Sequence, residues 1–187
     1  MVPILALWLP ILLAAVLVFF GSSIIHMVLG YHKSDYSKVD AEDEVLDALQ
    51  PANLAPGDYF IPHADSADAM KSEAYQAKLK KGPAAFMTVA DPGAFSSMGR
   101  SLGQWFVYCV VIGVIVAYVT GRMLAPGAEY LTVFRLAGTV TFCCYALGEP
   151  IHSIWFHRSW STTFKTMFDG LIYAVLTGGA FGWLWPE

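Results

Sequence analysis

Long apolar runs broken by one long polar stretch set the pattern of this chain. The hydrocarbon core of a bilayer takes about 20 helical residues, and the apolar runs predict transmembrane helices at 1–31, 101–122, 129–157 and 163–185. The second run has no charge between Arg100 and Arg122. The third carries Arg135 near one end and Glu149 near the other, which makes it a span with polar ends. The fourth has Asp169 near its start and closes on "GWLWPE", with Trp183 and Trp185 at the depth of an aromatic belt. The fold class expected is an all-α membrane protein of four transmembrane helices, with both termini on one side.

The polar stretch 32–100 has a pattern of its own and reads as a partly helical insert. In "DAEDEVLDALQP", Asp40 is placed to cap a short helix with acids in its first turn, an apolar stripe of Val45, Leu46 and Leu49, and a stop at Pro51. "SADAMKSEAYQAKLKKGP" predicts a second helix, with acids early, Lys80 and Lys81 late, and Gly82 and Pro83 as terminators. "DYFIP" and "AFMTV" are β-prone and predict a small two-stranded ribbon.

Two stretches echo one another. "IIHMVLGYHKSDYS" leaves the first run and "PIHSIWFHRSWS" leaves the third, and the spans that follow share spacing: Tyr108, Val110 and Gly113 match Tyr173, Val175 and Gly178. The expectation is two repeated helical hairpins, differing chiefly in the length of the loop within each. Gly113, Ala117 and Gly121 recur every four residues, as do Gly170, Ala174, Gly178 and Gly182. Such strips allow close helix approach, which predicts the second and fourth spans as the inner pair, or else a contact with another subunit.

Composition agrees with a bilayer: of 187 residues, 56% are hydrophobic and 14% charged. The net charge of −4 comes mostly from the polar stretch, and no basic patch with interleaved aromatics suggests nucleic acid. Cys109, Cys143 and Cys144 all lie in apolar runs, without the spacing of a zinc site or of a disulfide framework. The first run lacks a basic leader and exceeds the length of a signal-peptide core, so it reads as a retained anchor. Lys33, Lys38, Lys80, Lys81, Arg100, Arg158 and Lys165 flank the first and third connections, against Arg122 and Arg135 on the other side. That bias predicts a cytoplasmic insert and termini outside.

Candidate chemistry sits among ionisable groups at membrane depth, which are costly and usually partnered. His26, Gln104, Glu149, His152 and Asp169 all fall near the cytoplasmic interface and are expected to form one polar layer. Three readings fit it. In the favoured one the layer is a hydrogen-bonded ring closing the bundle, with Tyr31, Trp155 and Trp160 at the headgroups and no cofactor. In the second, His26 and His152, as repeat equivalents facing one another, bind haem or a transition metal, with Glu149 and His152 as an acid–histidine metal pair. Against it, Ser23 stands where the first repeat would need its acid. In the third, Glu149 and Asp169 serve an ion or proton path. His32 and His157 are expected at the interface, near lipid phosphates, and His63 in the insert reads as incidental. No nucleophile–base motif, phosphate-binding loop or HExxH appears, so the reading leans away from an enzyme.

The segments "SSIIHMVLGYHKSDY", "GDYFIPHA", "KKGPAAFMTV", "WFVYC", "YVTGRMLAPGAEYLTVFR" and "RSWSTTFKTMFDGLIYAVLTGGAFGWLWP" resemble a family of uncharacterised small bacterial four-span inner-membrane proteins. The resemblance covers most of the chain and implies a bacterial inner-membrane location, but it carries over no activity, cofactor or catalytic residue. The function expected from the sequence is an accessory or interaction subunit. Its partners would be the bilayer and other membrane subunits, or a second copy of itself. A haem- or metal-binding redox protein and a small ion or proton transport component are the alternatives.

Overall fold

A computed structural model describes the backbone of residues 1–187 and every side chain except those of Phe95 and Ser96. It is 71% helical and divides into two compact units, residues 1–37 with 99–187, and residues 38–98.

In the first unit, the first apolar run enters as a 3₁₀ turn at Ile4–Leu7, continues as α1 (Trp8–Ile24) and leaves through a π-helical turn at Ile25–Leu29. Gly30 then takes a left-handed conformation (φ 67°), which glycine adopts without the Cβ clash other residues meet. The second run is α6 (Met98–Met123). The third run, expected as one helix over 129–157, is divided: α7 (Tyr130–Tyr145) ends in a turn at 146–149 and α8 (Pro150–Phe156) follows. Pro150 accounts for the division, because its ring removes a backbone donor where α7 would continue and suits the first turn of a new helix. The fourth run is α9 (Trp160–Trp183). Three segments, Ile4–Leu29, Met98–Met123 and Tyr130–Phe156, are long and apolar enough to cross a membrane.

α9 is not among these three, and its buried face carries polar and small residues. Thr162, Thr163, Asp169, Gly170, Tyr173, Ala174, Thr177, Gly178, Ala180 and Phe181 form its buried stripe, recurring at three- and four-residue steps. The stripe packs against α7: a Cβ added at Gly178 would lie 2.8 Å from the Phe134 carbonyl oxygen, and one at Gly182 would lie 2.8 Å from the Tyr130 ring. On α6, a Cβ added at Gly121 would lie 2.5 Å from the Val2 carbonyl oxygen, and one at Gly113 would lie 3.1 Å from Ile11. Ala117 and Ala174 are buried beside these glycines. The two strips therefore do not face each other as an inner pair. Each accepts larger side chains of the apolar run before it, because a groove of small residues is filled best by branched and aromatic knobs such as Ile11, Leu7, Phe134 and Tyr130.

Hydrogen bonds define the two ends of this unit. At one, Val2 N–H donates to Gly121 O (2.7 Å), Gly127 N–H to Pro186 O (2.8 Å) and Trp185 Nε1–H to Ala125 O (3.0 Å). At the other, Ser153 and Thr163 hydroxyls share a buried hydrogen bond of 2.6 Å where α8 meets the first turn of α9.

The second unit holds α2 (Glu42–Leu49), β1 (Gly57–Ile61), α3 (Ala67–Lys71), α4 (Glu73–Lys81), β2 (Ala85–Val89) and α5 (Pro92–Ser96). β1 and β2 pair antiparallel from Gly57 opposite Val89 to Ile61 opposite Ala85, with the Phe60 and Phe86 rings stacked 4.5 Å apart. Asp40 does not cap α2. The cap position is Ala41, and Glu42, Asp43 and Glu44 complement the helix dipole instead. The stretch expected as one helix over 66–83 is two, because Ser72 adopts an extended backbone and its hydroxyl accepts from Tyr75 N–H, capping α4 as Ser66 caps α3.

Candidate metal centre

The chain reversal after α1 positions the site. A π-helical turn carries an extra residue per turn and swings side chains off the register of the preceding α-helix. Left-handed Gly30 then folds the backbone into a 3₁₀ turn at Tyr31–Ser34. Together they lay the His32 ring on the His26 ring, with centroids 4.4 Å apart. Both rings face Asp169, the one charged residue in the buried core among the described residues.

Asp169 is held on both oxygens. The Tyr31 hydroxyl donates to Oδ1, and His32 Nε2 lies 2.8 Å from Oδ2. His26 Nε2 stands 3.9 Å from the same Oδ2. The donor atoms of His26, His32 and Asp169 all lie within 4.8 Å of one another. Bonds of about 2.0–2.2 Å to a transition metal place neighbouring donors about 3–3.5 Å apart, so the observed 2.8 and 3.9 Å bracket that requirement. Two imidazoles and a carboxylate are the donor set of many transition-metal sites.

Behind His32 stands a second layer. Its Nδ1 lies 2.6 Å from Asp35 Oδ2, and Asp35 Oδ1 accepts from Lys165 Nζ at 2.8 Å. Lys165 also donates to Ser34 Oγ (2.7 Å). Burial would by itself raise the Asp35 carboxyl, but hydrogen bonds from Lys165 and His32 outweigh it and hold the group below the usual carboxylate range. Burial, then the bond to Asp169, pushes the Tyr31 hydroxyl up, which keeps it a donor. Both His32 nitrogens face carboxylate oxygens, and a neutral imidazole has only one N–H. The arrangement is satisfied by an imidazolium, or by Nδ1–H toward Asp35 with a metal ion at Nε2.

Of the residues expected in one polar layer, the structure brings His26 and Asp169 together and leaves the other three apart. Glu149 pairs with Arg158 at 3.3 Å. His152 is exposed, its ring beside Phe156 at 5.9 Å, and it is not among the donors gathered around Asp169. Gln104 is exposed. The histidine brought beside His26 is thus His32 and not the expected His152, because a local reversal of the chain carries His32 back toward Asp169. The expected Glu149–His152 pair is likewise spread between Arg158 and the Phe156 ring. Tyr31 and His32, expected at the headgroups, are half-buried parts of the site. From the sequence, His32 reads only as an interfacial residue and Lys165 only as a topology charge, and Asp35 is not singled out; the signal available was "HKSD", in which histidine and acid stand three residues apart. No protein-family model, curated protein or solved structure matches the chain.

Proposed function

We propose that this chain is a four-span membrane protein that binds a divalent transition-metal ion through His26, His32 and Asp169. The observation that carries the reading is the convergence of two imidazole nitrogens and a buried carboxylate oxygen within 4.8 Å. The half-exposed His26 ring leaves one face open to a further ligand. The set favours ions such as iron, manganese, cobalt or zinc over calcium or magnesium, which prefer oxygen donors throughout.

α9 is the fourth span in this reading. Its 24 residues reach about 36 Å at 1.5 Å per residue, more than the roughly 30 Å hydrocarbon core. It also runs beside α7, from Gly170 against Ala146 to Gly182 against Tyr130. The excess of Lys and Arg in the first and third connections supports a cytoplasmic insert, with the metal site toward the same side. The wider role proposed is a subunit of a larger assembly in a bacterial inner membrane, supported by the exposed Val45 and Leu46 on α2. Co-purification of a stoichiometric partner in mild detergent tests that role.

The metal reading is tested by incubating the purified protein with iron(II), manganese(II), cobalt(II) or zinc(II), desalting and measuring bound metal. About one ion per chain is expected, and none in His32→Ala or Asp169→Asn. A wild-type protein that retains none of these ions overturns the reading. The place is then taken by a metal-free clamp closing the bundle end, which is favoured by one observation: among the described residues no buried side-chain polar atom lacks a partner.

A further inference from the structure

We infer that Asp35 and Lys165 are the positioning pair of this centre, Asp35 fixing the His32 imidazole by its Nδ1 and Lys165 fixing Asp35. The inference rests on the metal-binding reading above. The two nitrogens of an imidazole point in diverging directions, so Asp35, at 2.6 Å from Nδ1, stands on the far side of the ring from an ion at Nε2. It is not a fourth ligand. It accepts the Nδ1 proton and thereby selects the tautomer that leaves the Nε2 lone pair free for a metal.

Both Asp35 oxygens are used, Oδ2 on His32 and Oδ1 on Lys165. The carboxylate therefore cannot rotate without breaking a bond. Its side chain is 7% exposed and that of Lys165 is 22% exposed, unlike a solvated surface pair. Lys165 and Asp169 stand one turn apart on α9, so one rigid helix supplies both the carboxylate ligand and the anchor of the residue that orients His32. The chain closes on itself: Lys165 to Asp35, Asp35 to His32, His32 to Asp169, and back along α9. His26, by contrast, reaches the site through its 3.9 Å approach to Asp169 and a tilted ring contact with His32. His32 is the pinned ligand and His26 the adaptable one.

The test uses the full chain in detergent, titrated with cobalt(II) and followed by its visible absorption and by competition with a chelator. Asp35→Asn should weaken binding about 10–100-fold, as loss of an outer-shell partner typically does, and shift the cobalt bands, while one ion still binds. Asp35→Glu should recover most of the affinity. Lys165→Met should weaken binding less than Asp35→Asn, with the same direction of spectral shift. Should Asp35→Asn fail to remain monodisperse, Lys165→Met and Asp35→Glu decide. Wild-type affinity and spectrum in Asp35→Asn, or in Lys165→Met where that variant decides, overturn the positioning role and leave the metal site standing. A wild-type protein that binds no cobalt, indistinguishable from His32→Ala, overturns both together.

Discussion

His32 Nε2 lies 2.8 Å from Asp169 Oδ2, so a residue just beyond the end of α1 secures a carboxylate buried within α9. The two are 137 positions apart in the chain. The bond ties the exit of the first helix to the helix that packs on both α1 and α7.

Removing that bond should be costly in the metal-free protein. His32→Ala takes the 2.8 Å partner from one oxygen of a carboxylate whose side chain is 3% exposed, leaving Tyr31 on the other, and breaking one side of a buried pair costs about 3–5 kcal/mol. His26→Ala, at an exposed ring, should stay within about 1 kcal/mol. Thermal unfolding of the two variants in detergent with chelator compares them. Equal losses would show that His32 does not hold Asp169.

Metal content separates the two histidine pairings. His152→Gln should keep the bound ion, since its ring stands beside Phe156. His26→Gln should lose affinity by more than the about 10–100-fold of an outer-shell change. Loss of metal in His152→Gln would restore the pairing expected from the repeat.

Gly178→Leu should prevent stable assembly, and even Gly178→Ala should cost about 1–3 kcal/mol by overpacking, because a Cβ there would stand 2.8 Å from the Phe134 oxygen. Val175→Ala, on the exposed side of α9, should change stability by less than about 1 kcal/mol. Detergent melting curves decide, and a melting temperature for Gly178→Leu matching Val175→Ala would contradict the packing described.

Topology reporters test the span count. Fusions after Ala125 and after Glu187 should report the same side, and a fusion within 50–80 the opposite one. A three-span protein would put Glu187 on the side of the insert.

Much of the architecture was readable from apolar runs, and the close approaches at Gly113, Gly121, Gly178 and Gly182 were readable from their spacing, though not the partners they meet. The site was half legible. His26 and Asp169 declared themselves as ionisable groups in apolar surroundings. His32 did not, because on a continuing α-helix a residue six positions on lies about 240° round from His26. A π-helical turn and a left-handed Gly30 undo that separation, and neither has a signature in residue spacing. The repeat misled for a related reason. It rests on matched spacing along the chain, whereas the site depends on a reversal that only the first exit makes with a glycine. In the insert, Ser72 could serve as a helix interior residue or as a cap, and the pattern around it does not distinguish the two.

The polar stripe of α9 also bears on biogenesis. α9 is made after α1, α6 and α7, and a lone charged residue in a helix resists insertion by about 2.5–3.5 kcal/mol. When α9 leaves the ribosome, the segments that receive Asp169, Thr163 and Thr177 have already been synthesised. On the four-span reading, Asp169 enters the bilayer as the partner of Tyr31 and His32 rather than as a bare charge. That reading couples membrane integration of α9 to recognition of the earlier helices. The fourth helix expressed alone should remain largely uninserted, and co-expression with residues 1–158 should draw it into the membrane only when His32 and Tyr31 are intact.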